Sequence, residues 1–520
     1  MKKKIFALAL ALSLLLGVTA ASAEAVTYPI GDGSQTLSWW IPMNGNLVTV
    51  MQSYNEHPIY QQLMKDTGVN INFTHPAAGQ ESEEFGLMLV SGELPDIIQT
   101  FPDYYTGGVA AGYDDGVILD LTDLVKEYAP DYYALISADE ETYRQFTTDG
   151  KILAFYTYWE EYNPSAMCIT LRQDWLDEFG LKAEDMTTYD AIEQYFQAIL
   201  DNKPGVAPLY LNVTTNEYYL GYNIRPSWYQ IDGQVVYYDQ GEQPQYRAWL
   251  ERMHSWYEKG YISVDFASYS SSEARSMFSA GLIGCFCEPI GNVYSDADSS
   301  GLAIAKSPYW YETEDMTVNV YFPEGLERNG GQGTVITSAC EDPITAVKLL
   351  NYAYTDAGMM LTNYGIEGMC YTVADDGSIQ YTDLVLNNPD YGTAVTHQLY
   401  RIHWIANRKL ADTTCNPNVT KRQDVIDGRL LYTVPTDTFN GDYLLPAGVS
   451  SCLTVEENSE RSAIMSNVDT YISEMRLKFI TGSASLDDAS WAEYLATLEN
   501  YGLSRAIEIT QTAYARYLEQ

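Results

Sequence analysis

Basic residues are scarce in this chain: 29 Lys and Arg stand against 70 Asp and Glu in 520 residues, for a net charge of −41. So acidic a composition excludes nucleic-acid binding, which needs a basic footprint, and disfavours adhesion to anionic lipid. Cysteine is sparse as well: Cys168, Cys285, Cys287, Cys340, Cys370, Cys415 and Cys452 are all there are. That is far below a disulfide framework, and an odd number leaves at least one unpaired within the chain. Cys285 and Cys287 lie in an apolar run, Leu282 to Phe286, where cysteine commonly acts as a small buried hydrophobe. Long apolar runs are missing beyond the N-terminus. There, Met1-Lys2-Lys3-Lys4, an apolar run from Ile5 to Val18 and Ala21-Ser22-Ala23 predict a secretory signal over residues 1–23. A membrane span would need about 20 apolar residues. No cysteine falls in this region, so a lipid anchor is not evident. The expected location is secreted, extracytoplasmic and associated with the cell envelope.

Catalytic signatures are absent in turn. The five histidines (His57, His75, His254, His397 and His403) form no H-E-x-x-H pair and no zinc-finger spacing. There is no G-x-S-x-G elbow, no Walker A loop and no G-x-G-x-x-G after a strand. Asp296-Ala297-Asp298-Ser299-Ser300-Gly301 imitates the start of a calcium loop, but the twelfth position is Ser307 rather than a bidentate Glu. No cofactor or metal is expected. Glu160-Glu161 and Glu288 are the best-placed acids for a glycosidase, whose two carboxylates would stand about 5–10 Å apart. Low-complexity linkers and internal repeats are also missing.

What remains is a long chain with alternating strand and helix patterns, which argues an α/β class. Cores rarely grow beyond about 250–300 residues, so at least two are expected. Leu37–Ile41 reads as a strand, Pro58–Thr67 as a helix stopped by Gly68, and Val69–Phe73 as a second strand. Thr187-Thr188-Tyr189-Asp190 opens a helix with the apolar face Ile192, Tyr195, Phe196, Ile199 and Leu200. Asp342-Pro343 opens another, running to about Asp356. From Ala463 to Glu519 the pattern is helical, broken near Gly482 and Gly502.

Aromatic residues are the positive signal: 44 Tyr, 10 Trp and 14 Phe. Sugar rings offer flat C–H faces for stacking and hydroxyls for polar groups, so a sugar site combines apolar walls with a few placed polar side chains. The stretch Ser91–Leu121 has that mixture. Pro95-Asp96-Ile97-Ile98 reads as the end of a sheet strand, followed by a loop with Phe101, Asp103, Tyr104 and Tyr105. A glycine-rich turn, an acidic hairpin-like segment and a helix from Thr122 come next. The C-terminal edge of an α/β sheet is where ligands are presented. Candidate ligand-binding residues are Trp39, Trp40, Phe101, Asp103, Tyr104, Trp159, Glu160, Trp228, Glu288, Tyr309 and Trp310. For any one loop aromatic, packing competes with ligand contact.

Several ordered motifs run nearly end to end. Arg172-x-Asp174-Trp175-Leu176 is followed by Gly180-Leu181 and Thr187. Tyr229-x-x-Asp232-Gly233 precedes Trp256-Tyr257-Glu258-Lys259-Gly260-Tyr261-Ile262. Leu349-Leu350-Asn351-Tyr352 precedes Asn363-Tyr364-Gly365-Ile366-Glu367-Gly368. The chain closes with Phe479-Ile480-Thr481-Gly482, Trp491-x-x-Tyr494 and Ala513-Tyr514-x-Arg516-Tyr517. This series resembles the large extracellular solute-binding proteins of family 1, the sugar-binding proteins of ABC transporters that include the LplA-like lipoproteins and the alginate-binding proteins. The resemblance implies a periplasmic-binding-protein-like type II fold: two discontinuous α/β lobes, a hinge and a cleft between them that closes on ligand. The implied lobes are 24–165 with 325–370, and 166–324 with 371–520. Crossings fall near 163–167, 318–330 and 368–375.

The implied function is a substrate-binding protein of an ABC importer that holds an oligosaccharide or similar small solute. Its partners are the permease subunits, and it works as a monomer without catalysis. Two features depart from the family: the lipid-anchoring cysteine is not evident, and Asp201-Asn202-Lys203-Pro204-Gly205 keeps too few oxygens for the calcium loop of alginate-binding relatives. A secreted glycoside hydrolase or lyase, a peptide-binding transport receptor and a non-transport surface receptor are the alternatives.

Overall fold

The structure, a computed structural model, describes residues 25–159, 167–212, 227–231, 233–238, 244–269, 271–289, 302–305, 329–402, 407–408 and 443–519. Two hydrophobic cores organise them. The first gathers residues from Leu37 to Tyr158 and from Val335 to Ile402; the second gathers residues from Ile169 to Ala305 and from Val449 to Tyr517.

The first core is built around a sheet in the order Val335–Ile336, Ile97–Ile98, Thr36–Trp40, Asn70–Thr74. Three strands are parallel, and Val335–Ile336 returns antiparallel to Ile97–Ile98. The helix Pro58–Thr67 starts with proline in its first turn and stops at Gly68, whose φ is 70°. His57 caps it: its Nδ1 accepts from the Ile59 amide at 3.3 Å, while Nε2–H donates to the Gln398 carbonyl at 3.0 Å. That bond ties the segment after Tyr371 to this core, to which Val385, Leu399 and Ile402 also belong.

The second core carries a sheet in the order Leu302–Ala305, Met167–Arg172, Ile283–Pro289, Ala207–Leu209, with only the last pair parallel. Thr188 accepts from the Ala191 amide and opens the helix Tyr189–Asn202, which buries Ile192, Tyr195, Phe196 and Ile199. Cys285 and Cys287 are both fully buried, and neither forms a disulfide among the described residues. A second, antiparallel sheet joins Tyr443–Leu444, Trp228–Ile231 and Gln234–Tyr237. Three C-terminal helices, Val455–Thr481, Asp488–Asn500 and Leu503–Glu519, turn corners at Gly482 and Gly502.

Two local expectations change. The helix from Pro343 ends at Asn351, because Tyr352–Tyr354 tighten into a 3-10 turn and Thr355 caps a new helix, Asp356–Tyr364. The glycine-rich stretch is not a turn: Gly108–Asp114 is a helix, with Val109 packed onto the cluster of Trp40, Phe85 and Phe101. The acidic segment after it turns at Gly116, whose φ is 72°, and Ile118 bridges antiparallel to Thr337.

The motif series holds corners together. Arg172 pairs with Asp174 at 3.0 Å, donates to the Phe278 carbonyl and lies 4.8 Å from the Trp175 ring centroid. Glu193 accepts from Trp256 Nε1 at 2.7 Å and pairs with Lys259 at 2.6 Å. Asn351 is fully buried and bridges the Asp131 carboxylate and the Tyr132 amide. Buried polar groups are held by hydrogen bonds, and Asn351 and Glu193 make theirs, whereas Arg172 leaves its Nε buried without a partner.

Candidate functional site

Segments that flank the stretches joining the two cores run side by side. Phe155 and Thr334 exchange backbone hydrogen bonds, as do Thr157 and the pair Gly330 and Gly331. Asn407–Arg408 lies parallel against Tyr158–Trp159. Glycine is required in this ribbon. A Cβ on Gly330 would stand 2.4 Å from Trp159 Nε1, and one on Gly333 2.8 Å from Pro102 Cγ.

Beside the ribbon lies a cavity of about 400 Å³ with walls from both cores. Pro102, Asp103, Tyr105 and Val109 form one side, residues 145–148 and Tyr156 the base, and Asn329 and Gln332 the ribbon's share. Gly448, Ser450, Leu453 and Asn458 close it from the second core.

The first wall is aromatic behind and polar in front. Phe101 is fully buried, stacked on Tyr105 at 4.8 Å, with Phe85 at 5.7 Å. Tyr104 meets Trp40 edge-on at 5.6 Å. Tyr105 donates its hydroxyl to Asp115 at 2.7 Å; burial and that bond push its pKa up to about 12. Asp103 is exposed at the cavity's edge, yet enough protein surrounds its carboxyl to raise its pKa above the ordinary value.

The base is braced from below. Asn329 donates its side-chain amide to the Gln145 carbonyl at 2.7 Å and accepts from the Gly331 amide at 2.8 Å. The wall from the second core is fixed by charge. Arg516 grips both carboxylate oxygens of Glu457 at 2.6 and 2.7 Å and donates to the Cys452 carbonyl at 2.8 Å. Glu457 also accepts from the Thr454 amide, completing the capping box of the helix Val455–Thr481. Those bonds, Arg516's first, hold the Glu457 carboxyl down to about 2. Tyr517, beside Arg516, crosses to the first core and donates to Glu141 at 3.1 Å.

Backbone strain collects here. Among the described residues three non-glycine positions have positive φ: Thr100 (56°), Asp149 (49°) and Gln332 (63°). Gln332 is in the wall, Asp149 follows Thr148 in the base, and Thr100 precedes the one-turn helix Phe101–Tyr104. One end of the Gln332 amide is buried with no hydrogen-bond partner, and the fully buried Gln99 leaves both ends of its amide unpartnered. Left-handed non-glycine residues and unpaired buried amides each cost about 1–3 kcal/mol and concentrate where function demands them.

Of the sequence candidates, Asp103 lines the cavity. Trp40, Phe101 and Tyr104 form the aromatic layer behind it. Trp39, one residue from Trp40 and on the opposite strand face, is fully buried with Tyr60 and Phe73. Trp159 is half-buried against Gly330. Trp228 is half-buried in the second antiparallel sheet, with the Arg461 guanidinium 5.9 Å from its ring centroid. Glu288 is in the strand Ile283–Pro289, but its side chain lies outside the described residues, as do Glu160, Tyr309, Trp310 and the segment Asp296–Gly301 entirely. Residues 145–148, Asn329–Gly333 and Gly448–Asn458 were not candidates. The run Asn329-Gly330-Gly331-Gln332-Gly333 was the available signal, since clustered glycine marks close backbone approach.

The sequence profile of the bacterial extracellular solute-binding proteins matches residues 51–360, more than half of the chain. The chain belongs to this family. Its extracellular character places the solute-binding protein outside the cytoplasm. It is similar, at 24% identity over 69% of its length and 71% of the relative's, to the polygalacturonan/rhamnogalacturonan-binding protein YtcQ of Bacillus subtilis. It is also 24% identical to the fructooligosaccharide ABC transporter substrate-binding protein FusA of Streptococcus pneumoniae, over 95% of this chain and 92% of FusA. The solved structure of FusA in complex with kestose superposes with a TM-score of 0.68 at 19% identity, covering 93% of this chain and all of that one. The alginate-binding protein AlgQ2, without calcium ion, gives 0.67 at 18% identity over 92% and 98%. Those likenesses establish the periplasmic-binding-protein-like fold.

Proposed function

We propose that this solute-binding protein is the substrate-capturing subunit of an ABC importer and holds an oligosaccharide in the cavity between its two cores. The observation that carries the reading is the cavity itself: walls from both cores, with every described non-glycine residue of left-handed backbone at or beside it. A site shared by two units is one that ligand can draw shut. Its size and mixture suit a small polar ligand: Tyr105 and Tyr156 supply faces, and Asp103, Gln332, Ser450 and Asn458 supply polar groups. The relatives that bind fructooligosaccharides and polygalacturonan support a carbohydrate.

On this reading the lobes are 25–159 with 329–402, and 167–305 with 443–519, so that the segment 371–402 goes with the first lobe because its core residues do. Trp159 backs the glycine ribbon, Asp103 contacts ligand, and Trp40, Phe101 and Tyr104 hold the cavity's wall. The protein works as a single copy, binds without turnover and hands ligand to permease subunits. A thermal-shift screen against a broad glycan panel tests it, followed by solution scattering with each hit. The expected result is a raised melting temperature and a smaller radius of gyration. No stabilisation by any glycan sinks the reading, and release of new reducing ends would make the protein a hydrolase instead.

A further inference from the structure

Asp103 is the one charged side chain among the described residues that line the cavity. Among the described residues it has no ion pair and no side-chain hydrogen-bond donor: partial burial alone accounts for its raised pKa. Among the described residues, three nearby arginines are directed elsewhere. Arg144 pairs with Glu141 at 2.6 Å and lies 5.7 Å from the Tyr517 ring centroid. Arg516 is committed to Glu457, and Arg461 is turned to Trp228. Three of the wall's donors are also spent: Tyr105 on Asp115, Thr147 on the Tyr143 carbonyl and Asn329 on the Gln145 carbonyl.

A ligand entering this cavity therefore meets an acceptor in want of donors. Hydroxyls can donate to the carboxylate; a second carboxylate cannot, and both would have to lose water while repelling each other. The chain's net charge of −41 adds to that repulsion at long range. We infer that the cavity selects uncharged oligosaccharides over uronate-bearing ones, and that Asp103 is the selecting residue. This rests on the proposed carbohydrate reading and narrows it, because one of the relatives binds a uronate polymer.

The test uses the full mature chain at neutral pH. Uncharged oligosaccharides from inulin, xylan, galactan, mannan and cellulose are screened beside oligogalacturonate and oligoalginate by thermal shift, and the best of each class is titrated calorimetrically. The best uncharged ligand is expected to bind at least tenfold more tightly than the best uronate. Asp103→Asn, which keeps the shape and removes the charge, should narrow that ratio to threefold or less by strengthening the uronate. Because Asp103 is exposed and unpaired, the variant without ligand should melt as the parent does, so a changed ratio is not a folding effect. A uronate that binds the parent as tightly as any neutral glycan overturns the inference but leaves the carbohydrate reading standing. A ratio that Asp103→Asn does not move also overturns it. Silence from every glycan removes both.

Discussion

The two sides of the cavity are held by different physics. On the first side, Phe101, Tyr105, Phe85 and Trp40 make an aromatic layer within a buried core, and only its front edge is polar. On the other, Ser450, Leu453 and Asn458 are positioned by a charged clasp, Arg516 to Glu457, closed over a helix cap. Aromatic packing is indifferent to salt and loses free energy in large steps when a ring is removed. A partly exposed ion pair is worth little and is screened. The first wall is therefore the fixed template of the site and the second is its adjustable face.

That contrast can be broken most directly by removing a ring. Phe101→Ala should cost about 3–5 kcal/mol of stability, read from denaturant unfolding, and a loss under 1 kcal/mol would show that the layer is not the template. The next effect is acid. Burial lowers the pKa of His57 to about 4, so the folded protein keeps it neutral while an unfolded chain takes up a proton below about 6.5. Its contribution is complete above that value and is lost as pH falls toward 4, by roughly 2 kcal/mol at pH 5. The difference between the protein and a His57→Gln variant across that window checks it.

Glu457 gives a smaller effect in a lower window. With its folded pKa at about 2, its contribution is present above about 4.5 and disappears as pH falls toward 2. Because the pair is partly exposed, Arg516→Ala should cost only about 1 kcal/mol, and less in high salt. A salt-independent loss would place this wall in the same class as the other. Smallest is Tyr517→Phe, which removes the bond to Glu141 across the two cores. It should cost about 0.5–1 kcal/mol in unfolding while enlarging the radius of gyration measured by scattering without ligand.

The sequence was most legible where the determining forces are local. Pro58 and Gly68 bracket a helix as their chemistry requires, Thr188 caps one, and Gly482 and Gly502 turn the C-terminal corners. The motif series was legible as family, yet its residues turn out to brace corners: Arg172 on Trp175, Glu193 under Trp256, Asn351 between Asp131 and Tyr132. The site was less legible. Its base and second wall come from segments hundreds of residues apart, joined by backbone pairing that leaves no local trace. The left-handed backbone at Thr100 and Gln332 is likewise invisible, since neither residue type asks for it. Alternation in the strand Thr36–Trp40 could have separated Trp39 from Trp40, because neighbours on a strand face opposite ways.

The strand Val335–Ile336 has a consequence for how the chain acquires its shape. It pairs with Ile97–Ile98, yet the whole four-stranded sheet of the second core is encoded between them. Until that stretch has gone out and returned, Ile97–Ile98 is an open edge with its backbone groups unmatched, the kind of surface that recruits a strand from another molecule. Contacts so distant along the chain form slowly. The first core thus cannot finish as an independent unit, and its sheet is completed only when the chain has come back from the second. Dilution during refolding should raise the yield of monomer for that reason, while concentrated refolding traps the molecule by its unfinished edge.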